Sequence, residues 1–342
     1  MKALLKLKAG PGLSLEEVPT PTVSDNDVLI KIKTTGICGT DLHIYSWDAW
    51  AKKTIPIPIT IGHEFVGEIV HIGKDVSHLQ IGDRVSGEGH ITCGICHLCR
   101  SPKRHLCPNA KGIGIQRDGA FAEFLNLPAQ NVVKVPENIS DDLAAILDPL
   151  GNAVHTLEGV DLAGEDILVT GAGPIGLMAI ALLKQLGAHT IVVTDVNPYR
   201  LNLAKKMGAT HALNIKETML EALLPKLNLE NGFTVGLEMS GNEEAIQTQL
   251  HYLAPGSLLA ALGLATKNVI IDWTAIIFKG IKIHGIYGRK MFETWTKMIA
   301  LLQSGLDLSP LITHHYDFKD YQAAFEKAQS GEAGKILLHW NS

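Results

Sequence analysis

The stretch Ile167-Leu-Val-Thr170-Gly171-Ala-Gly173-Pro-Ile-Gly176 decides how this chain is read. Its opening residues are apolar and β-prone, its three glycines keep a G-x-G-x-x-G spacing, and an apolar helical run continues to Leu186. Alone, such a loop is a weak signal. Here a strand precedes it, a helix follows it, and Asp195 closes the next strand candidate, 19 residues past Gly176. That context predicts a dinucleotide site. Gly171 makes the tight turn, Gly173 lets the backbone approach a pyrophosphate, and Gly176 lets helix and strand pack closely. Asp195 is expected to accept hydrogen bonds from ribose hydroxyls and to repel a 2′-phosphate, which favours NAD over NADP. Arg200, five residues on, can pack on adenine or meet a phosphate.

Working outward, the same strand–helix alternation recurs. Thr190–Thr194 reads as a strand, Tyr199–Met207 as a helix ending at Gly208, Thr234–Glu238 as a strand, Glu243–Leu253 as a helix and Ser257–Leu262 as a strand. Repeated βα units imply a doubly wound parallel sheet covered on both faces, a Rossmann domain over residues 148–290. Residues 1–147 have another texture. Short strand-like runs such as Val28–Lys33, Phe65–Ile72, Arg84–Glu88 and Phe121–Leu127 alternate with turn residues, the pattern of a β-rich lobe. Residues 291–342 carry a helical stretch near Phe292–Gln303, a helix over Phe318–Ser330 and a strand over Lys335–His339. They are expected to return to the first lobe.

The composition excludes several classes. Of 342 residues, 46% are hydrophobic and 19% charged, the balance of a globular chain of about two domains. The net charge is −5 with no basic block, which argues against nucleic acid as a partner. The most apolar segments, Ile167–Val169 and Ile175–Leu183, are far shorter than a membrane helix needs, so no membrane partner is expected. Met1–Lys8 alternates lysine with apolar residues like a first strand, not like an export signal. A cytoplasmic location is the resulting expectation, and a reducing cytosol disfavours disulfides.

The chain has five cysteines. Four of them, Cys93, Cys96, Cys99 and Cys107, form a C-x2-C-x2-C-x7-C run, the ligand set of a closed structural zinc site. Two disulfides conflict with the cytosolic expectation, a thioredoxin-like redox unit is not visible, and an RNA-binding zinc knuckle would need basic and aromatic residues for stacking. The fifth, Cys38, is followed 25 residues later by His63-Glu64. Taken singly, Cys38 reads as a buried small hydrophobe, His63 as a satisfied core histidine and Glu64 as an edge charge. Together, and beside a dinucleotide loop, they suggest a second zinc with an open position. Their settings, Gly36-Ile-Cys38-Gly39-Thr40-Asp41-Leu-His43 and Gly62-His63-Glu64-Phe-Val-Gly67-Glu68, read as polar, glycine-dense loops.

With these segments, the four-cysteine lobe and the glycine loop in this order, the chain resembles the zinc-dependent medium-chain dehydrogenase (alcohol dehydrogenase) superfamily over essentially its whole length. The resemblance implies an α/β architecture with a GroES-like catalytic domain, a Rossmann domain and an active-site cleft between them. It implies two zinc ions per subunit, NAD, and a homotetramer. It places Ile175, Leu262, Gly263, Leu264, Ile286 and Tyr287 beside the glycines as cofactor-binding positions, and Thr40 and His43, flanking Cys38, as a proton relay toward solvent. One departure stands out. Where classical members carry a second zinc cysteine and polyol relatives a glutamate, this chain reads Leu147-Asp148-Pro149. Asp148 is one methylene shorter, so Glu64 is the better third ligand by resemblance, with Asp148 acting through water or from behind the ligands.

Finer segments resemble the branch that oxidises L-threonine at its 3-hydroxyl to 2-amino-3-oxobutanoate, on the way to glycine and acetyl-CoA. They are Ser86-Gly-Glu-Gly-His90-Ile-Thr-Cys93, Asp148-Pro-Leu-Gly-Asn152-Ala-Val-His155, Gly285-Ile-Tyr287-Gly-Arg289, Glu293-Thr-Trp295 and Ser304–Pro310. The substrate implied is a small molecule with an ammonium and a carboxylate; Arg289 or His90 is a candidate for pairing the latter. Trp47 and Trp50 either shape the cleft or pack the lobe. The rivals are a polyol or 2,3-butanediol dehydrogenase of the same superfamily, and a non-catalytic zinc- and NAD-binding protein.

Overall fold

The computed structural model describes residues 1–340 and divides into two compact units. The first comprises residues 1–149, 290–303 and the chain from Ile312 on. Its centre is a seven-stranded sheet. The strand order is Val132–Lys134, Arg84–Gly87, Glu64–Ile72, Asp27–Gly36, Lys335–His339, Ile312–Asp317, and Phe124–Pro128 also pairs with Asp27–Gly36. Val28, Ile30 and Ile32 point inward and are buried, while Lys31 and Lys33 alternate outward. That period of two puts one face of the sheet on a core closed by Phe65, Phe121 and Phe325. The C-terminal strand lies antiparallel to Asp27–Gly36, with Leu337 opposite Gly36. Trp340 stacks on Phe318 with ring centroids 4.6 Å apart and donates from Nε1 to Thr35 Oγ1 at 2.9 Å.

Three features of this unit depart from expectation. Of the His63 segment read as a loop, Glu64 to Glu68 belongs to the strand Glu64–Ile72, because its apolar Phe65 and Val66 pack into the sheet. Cys38 does not sit in an open loop; it is the N-cap of a helix, Gly39–Ser46, that follows the strand directly. The Ile312–Asp317 strand was not foreseen, because its Thr-His-His-Tyr-Asp composition lacks an apolar stripe; it is a partly exposed edge strand.

The second unit, 150–289 with Ser304–Leu311, is a six-stranded, wholly parallel sheet. Its order is His211–Asn214, Thr190–Asp195, Asp166–Thr170, Phe233–Glu238, Leu253–Ala261, Lys282–Gly285, the doubly wound arrangement expected. Ile167, Leu168, Val169, Val192 and Val193 are out of water, as strands covered on both faces require. The Pro198–Met207 helix ends on Gly208 in the left-handed conformation, φ 117°. Ser304–Leu311 lies with this unit, so the stretch expected to return whole to the first lobe is divided.

Candidate active site and metal centres

In the first unit the strand Asp27–Gly36 delivers Cys38, and its antiparallel neighbour begins at Glu64, opposite Gly36. One ligand atom each from Cys38, His63 and Glu64 lies within 4.8 Å of the others. The Glu64 carboxylate approaches the Gly36 backbone so closely that a Cβ there would stand 2.3 Å from Oε2. Gly36 is therefore required by space and not by backbone angle. Asp148, in the first turn of the Leu147–Leu157 helix, is buried and its charge reaches His63, but it lies outside the three-residue cluster.

Three further residues shape this site. Asp41 is fully buried; Oδ2 accepts from the Cys38 backbone N–H at 2.9 Å, and Oδ1 lies 3.8 Å from His63 Nδ1. Burial pushes its pKa up to about 6, against the pull of His63. Burial disfavours a charged His63, yet the Cys38 sulfur and then Asp41 outweigh it and hold the imidazole pKa well above its ordinary value. The site thus attracts positive charge. Lys335, from the C-terminal strand, is 2% exposed and lies 2.6 Å from the carboxylate oxygens of Glu64, with a third contact to Ile37 O at 3.0 Å. Burial opposes its charge, but Glu64 and then Cys38 raise its pKa above the usual lysine value. Asp41 was visible within the quoted Cys38 motif. Lys335, some 270 positions from its partner, carried no local signal.

A thiolate, an imidazole and a carboxylate, with Cys38 half-buried, form a donor set that fits zinc with a position left over. Thr40 is half-buried on the first turn of the Gly39–Ser46 helix. His43, one turn on, is exposed and its Nδ1 is 2.6 Å from Asp48 Oδ2. Trp47 packs into the lobe core with Lys6 Nζ 4.9 Å over its ring, whereas Trp50 stays 40% exposed. His90 Nδ1 is 3.0 Å from Glu88 Oε1, a buried carboxylate whose Oε2 accepts from Trp295 Nε1 at 3.1 Å. Arg289 is buried in the second unit.

The four-cysteine loop converges as well. Sulfur separations are 3.9 Å for Cys93–Cys99, 3.9 Å for Cys96–Cys107 and 3.6 Å for Cys107–Cys93, and all four cysteines are free. A tetrahedron with Zn–S bonds of about 2.3 Å has edges of about 3.8 Å. These separations fit it and are far too long for disulfides, about 2.05 Å. Backbone N–H groups, of Ile95 first and then Cys96, lower the Cys93 thiol pKa to about 6, favouring the thiolate a metal needs.

In the second unit the candidate cofactor residues gather at the carboxyl ends of the parallel strands. Gly171 has φ 98°, and a Cβ on Gly176 would stand 2.2 Å from Gly171 O. Gly173 is the N-cap of the Pro174–Gln185 helix, without a side-chain cap, and open space surrounds the Cβ it lacks. Ile175 is half-buried on that first turn. An uncapped helix start with room before it fits a diphosphate. Asp195 accepts from the backbone N–H groups of Ala172 at 2.7 Å, Val196 at 2.7 Å and Asn197 at 2.8 Å, so it organises the glycine loop besides facing a ligand. Arg200 Nε is buried without a hydrogen-bond acceptor among the described residues. Leu262 and Gly263 donate to Glu238 O at 2.9 and 3.1 Å, Ile286 donates to Ala261 O at 2.9 Å, and Leu264 and Tyr287 are exposed. Glu238, which the sequence did not single out, accepts from Ser240 and Gly241 N–H at 2.8 and 2.9 Å and holds the loop beside Gly171.

Residues 24–137 match the alcohol dehydrogenase GroES-like domain, and residues 174–304 match the zinc-binding dehydrogenase domain. The chain belongs to the zinc-dependent alcohol dehydrogenase superfamily. Its dehydrogenase relatives include an L-threonine 3-dehydrogenase of Paraburkholderia phytofirmans, 57% identical over all of both chains. Another, from Chromobacterium violaceum, is 56% identical over 99% of this chain and 100% of the relative. An alcohol dehydrogenase of Escherichia coli solved with NADH shares the fold at TM-score 0.91, with 28% identity over 99% of each chain. Both the GroES-like and the Rossmann halves of the expected architecture are therefore present.

In metal-free protein, Lys335→Ala should leave Glu64 charged and unpaired out of water. The expected loss of stability is about 3–5 kcal/mol, read as a fall in the denaturation midpoint, with Lys335→Arg retaining part of it.

Proposed function

We propose that this chain is an NAD- and zinc-dependent dehydrogenase that oxidises the 3-hydroxyl of L-threonine to 2-amino-3-oxobutanoate. The observation that carries the reading is 57% identity, without a gap in coverage, to a relative named for that activity. The convergence of Cys38, His63 and Glu64 on one point supports the chemistry.

Cys38, His63 and Glu64 would hold the catalytic zinc, with Asp148 behind them, and Cys93, Cys96, Cys99 and Cys107 a structural one. The catalytic zinc supplies Lewis acidity that lowers the pKa of an alcohol. Bound NAD would supply the hydride acceptor for the oxidation, which also releases a proton. In this reading Thr40 and His43 carry that proton outward. Thr40 is half-buried beside Cys38, and His43 is in water, where Asp48 orients its ring. Asp41 fixes the orientation of Cys38 through its backbone N–H. Gly171, Gly173, Ile175 and Gly176 seat the diphosphate, and Asp195 and Arg200 take the adenosine end. Leu262, Gly263, Leu264, Ile286 and Tyr287 line the rest of the cofactor's path.

Among the described residues no helix is long and apolar enough to cross a membrane. We take the enzyme to be a cytoplasmic homotetramer. Self-association is supported by exposed Trp273, Ile277, Phe278 and Ile283 on and beside the edge strand of the parallel sheet.

Cys38→Ser should abolish turnover and cost one zinc per chain while the protein stays folded. Cys96→Ser should lower Tm first, because the cage metal contributes to folding. Metal analysis with circular-dichroism melting separates the two; a Cys38→Ser protein that keeps its full zinc content would refute the assignment.

Asp195→Asn removes the charge and leaves one acceptor oxygen, for either Ala172 N–H or the Val196 and Asn197 N–H groups. It should weaken kcat/KM for NAD by about tenfold, one charge-assisted hydrogen bond, and narrow the preference over NADP. Steady-state assays with the two cofactors check this.

The substrate test is NADH absorbance with L-threonine, D-threonine and 2,3-butanediol offered separately. A site built to pair an ammonium and a carboxylate rejects analogues lacking them by about 10⁴-fold. D-Threonine should be poor as well, since inversion at the α-carbon misdirects the ammonium. A kcat/KM ratio of L-threonine to 2,3-butanediol at or below about one would move the chain to the polyol branch.

A further inference from the structure

Asp142, His315 and His339 take no part in the sites above, yet the fold brings them together at one edge of the seven-stranded sheet. The parallel pairing of Ile312–Asp317 with Lys335–His339 sets His315 opposite Leu337 and Asp317 opposite His339. The period of two then places His315 and His339 on one face, a diagonal step apart. Their rings lie 5° from parallel with centroids 5.2 Å apart, and Nδ1 of His315 is 3.0 Å from Nε2 of His339. Asp142, in the first turn of the short Asp141–Ala145 helix, brings Oδ2 to 3.9 Å from His315 Nε2. One ligand atom from each of the three lies within 4.8 Å of the others.

The surroundings suit a cation. Thr34 Oγ1, on the Asp27–Gly36 strand, lies 3.2 Å from His339 Nδ1, which anchors the ring and turns Nε2 into the cluster. Arg84 does not compete for the carboxylate. Its Nε binds Asp141 at 2.6 Å and its two terminal nitrogens bind the Pro136 and Ile139 carbonyls at 3.0 and 2.7 Å. Two imidazole nitrogens 3.0 Å apart must share a proton, since two facing lone pairs repel. A divalent cation can replace that proton and is further favoured by the Asp142 charge. The side chains of His315 and Asp142 remain 46% and 38% exposed, so an ion has access and water can complete its coordination.

We propose that Asp142, His315 and His339 form a surface site for one divalent transition-metal ion of the Zn²⁺ class, separate from the dehydrogenase zinc sites. Two imidazoles and one carboxylate make a donor set suited to zinc and, by the usual affinity order, to Cu²⁺ more strongly. The bound ion ties the Asp141–Ala145 helix to the two C-terminal strands, all within the first unit.

The test uses the full-length enzyme saturated at its resident zinc sites and freed of loose metal. Calorimetric titration with ZnCl₂ should reveal one further equivalent per chain. His315→Ala and His339→Ala should each abolish it without changing resident zinc or L-threonine turnover, and Thr34→Val should weaken it by about tenfold. Titrated with Cu²⁺ instead, the wild type should give an electron paramagnetic resonance spectrum with two coupled nitrogens, and His339→Ala only one. A titration with no further equivalent, one whose further equivalent survives both histidine substitutions, or a copper spectrum unchanged by His339→Ala would overturn the proposal.

Discussion

A carboxylate out of water needs a cation, and Glu64 draws its cation from the other end of the chain. Lys335 meets it at 2.6 Å with both side chains removed from solvent. An isolated charge at that depth is untenable, whereas a well-placed pair is tolerated. The consequence is topological. To put Lys335 beside Glu64, the chain must leave the parallel sheet of the second unit and return to pair with Asp27–Gly36. Trp340, stacked on Phe318 and bonded to Thr35, pins the end of that strand. Gly36 completes the constraint from the other side, since any side chain there would occupy the place of the Glu64 oxygen. One carboxylate thus fixes a glycine, a lysine and the path of the last strand.

The second unit depends on a steric constraint instead. Its glycine loop closes because Gly176 packs against the Gly171 carbonyl, and because Asp195 gathers the N–H groups of Ala172, Val196 and Asn197. Asp195 therefore has two duties. The ribose role proposed for it rests on the same carboxylate that shapes the loop, so charge and geometry cannot be altered independently by truncating the side chain. Glu238 performs the equivalent service on the adjacent strand.

The legibility of the chain follows from how local each interaction is. The glycine loop, the cysteine run and the Cys38 and His63 motifs are short, and their spacings carry the geometry. The four inner strands of the parallel sheet and the helices between them were equally plain, because strands buried on both faces leave long apolar runs; the edge strands His211–Asn214 and Lys282–Gly285, with little buried apolar surface, were not read. The helix that begins at Cys38 was hidden by glycine and polar residues, which suit an N-terminal turn as well as a loop. The Ile312–Asp317 strand was hidden because an edge strand needs little apolar surface. Lys335 could not be read at all. A lysine among apolar residues looks like a solvated strand position until its partner, far away in sequence, is known to lie beneath it.

The same contrast separates the two proposed dehydrogenase zinc sites. The cysteine cage is drawn from one stretch, Cys93 to Cys107, with an exposed Ile95 and little apolar surface of its own. Besides the contacts of Arg104 with Thr92, Gln130 and Phe292, the bond to a metal is what offsets the entropy of ordering such a loop. Cys38 caps a helix start, Glu64 begins a strand and His63 directly precedes it, and the sheet, Asp41 and Lys335 already hold these places. Their geometry is maintained by the protein, which leaves a metal's remaining position available for chemistry. One site is therefore a fold element that happens to be a metal, and the other is a chemical element that the fold has prepared to receive.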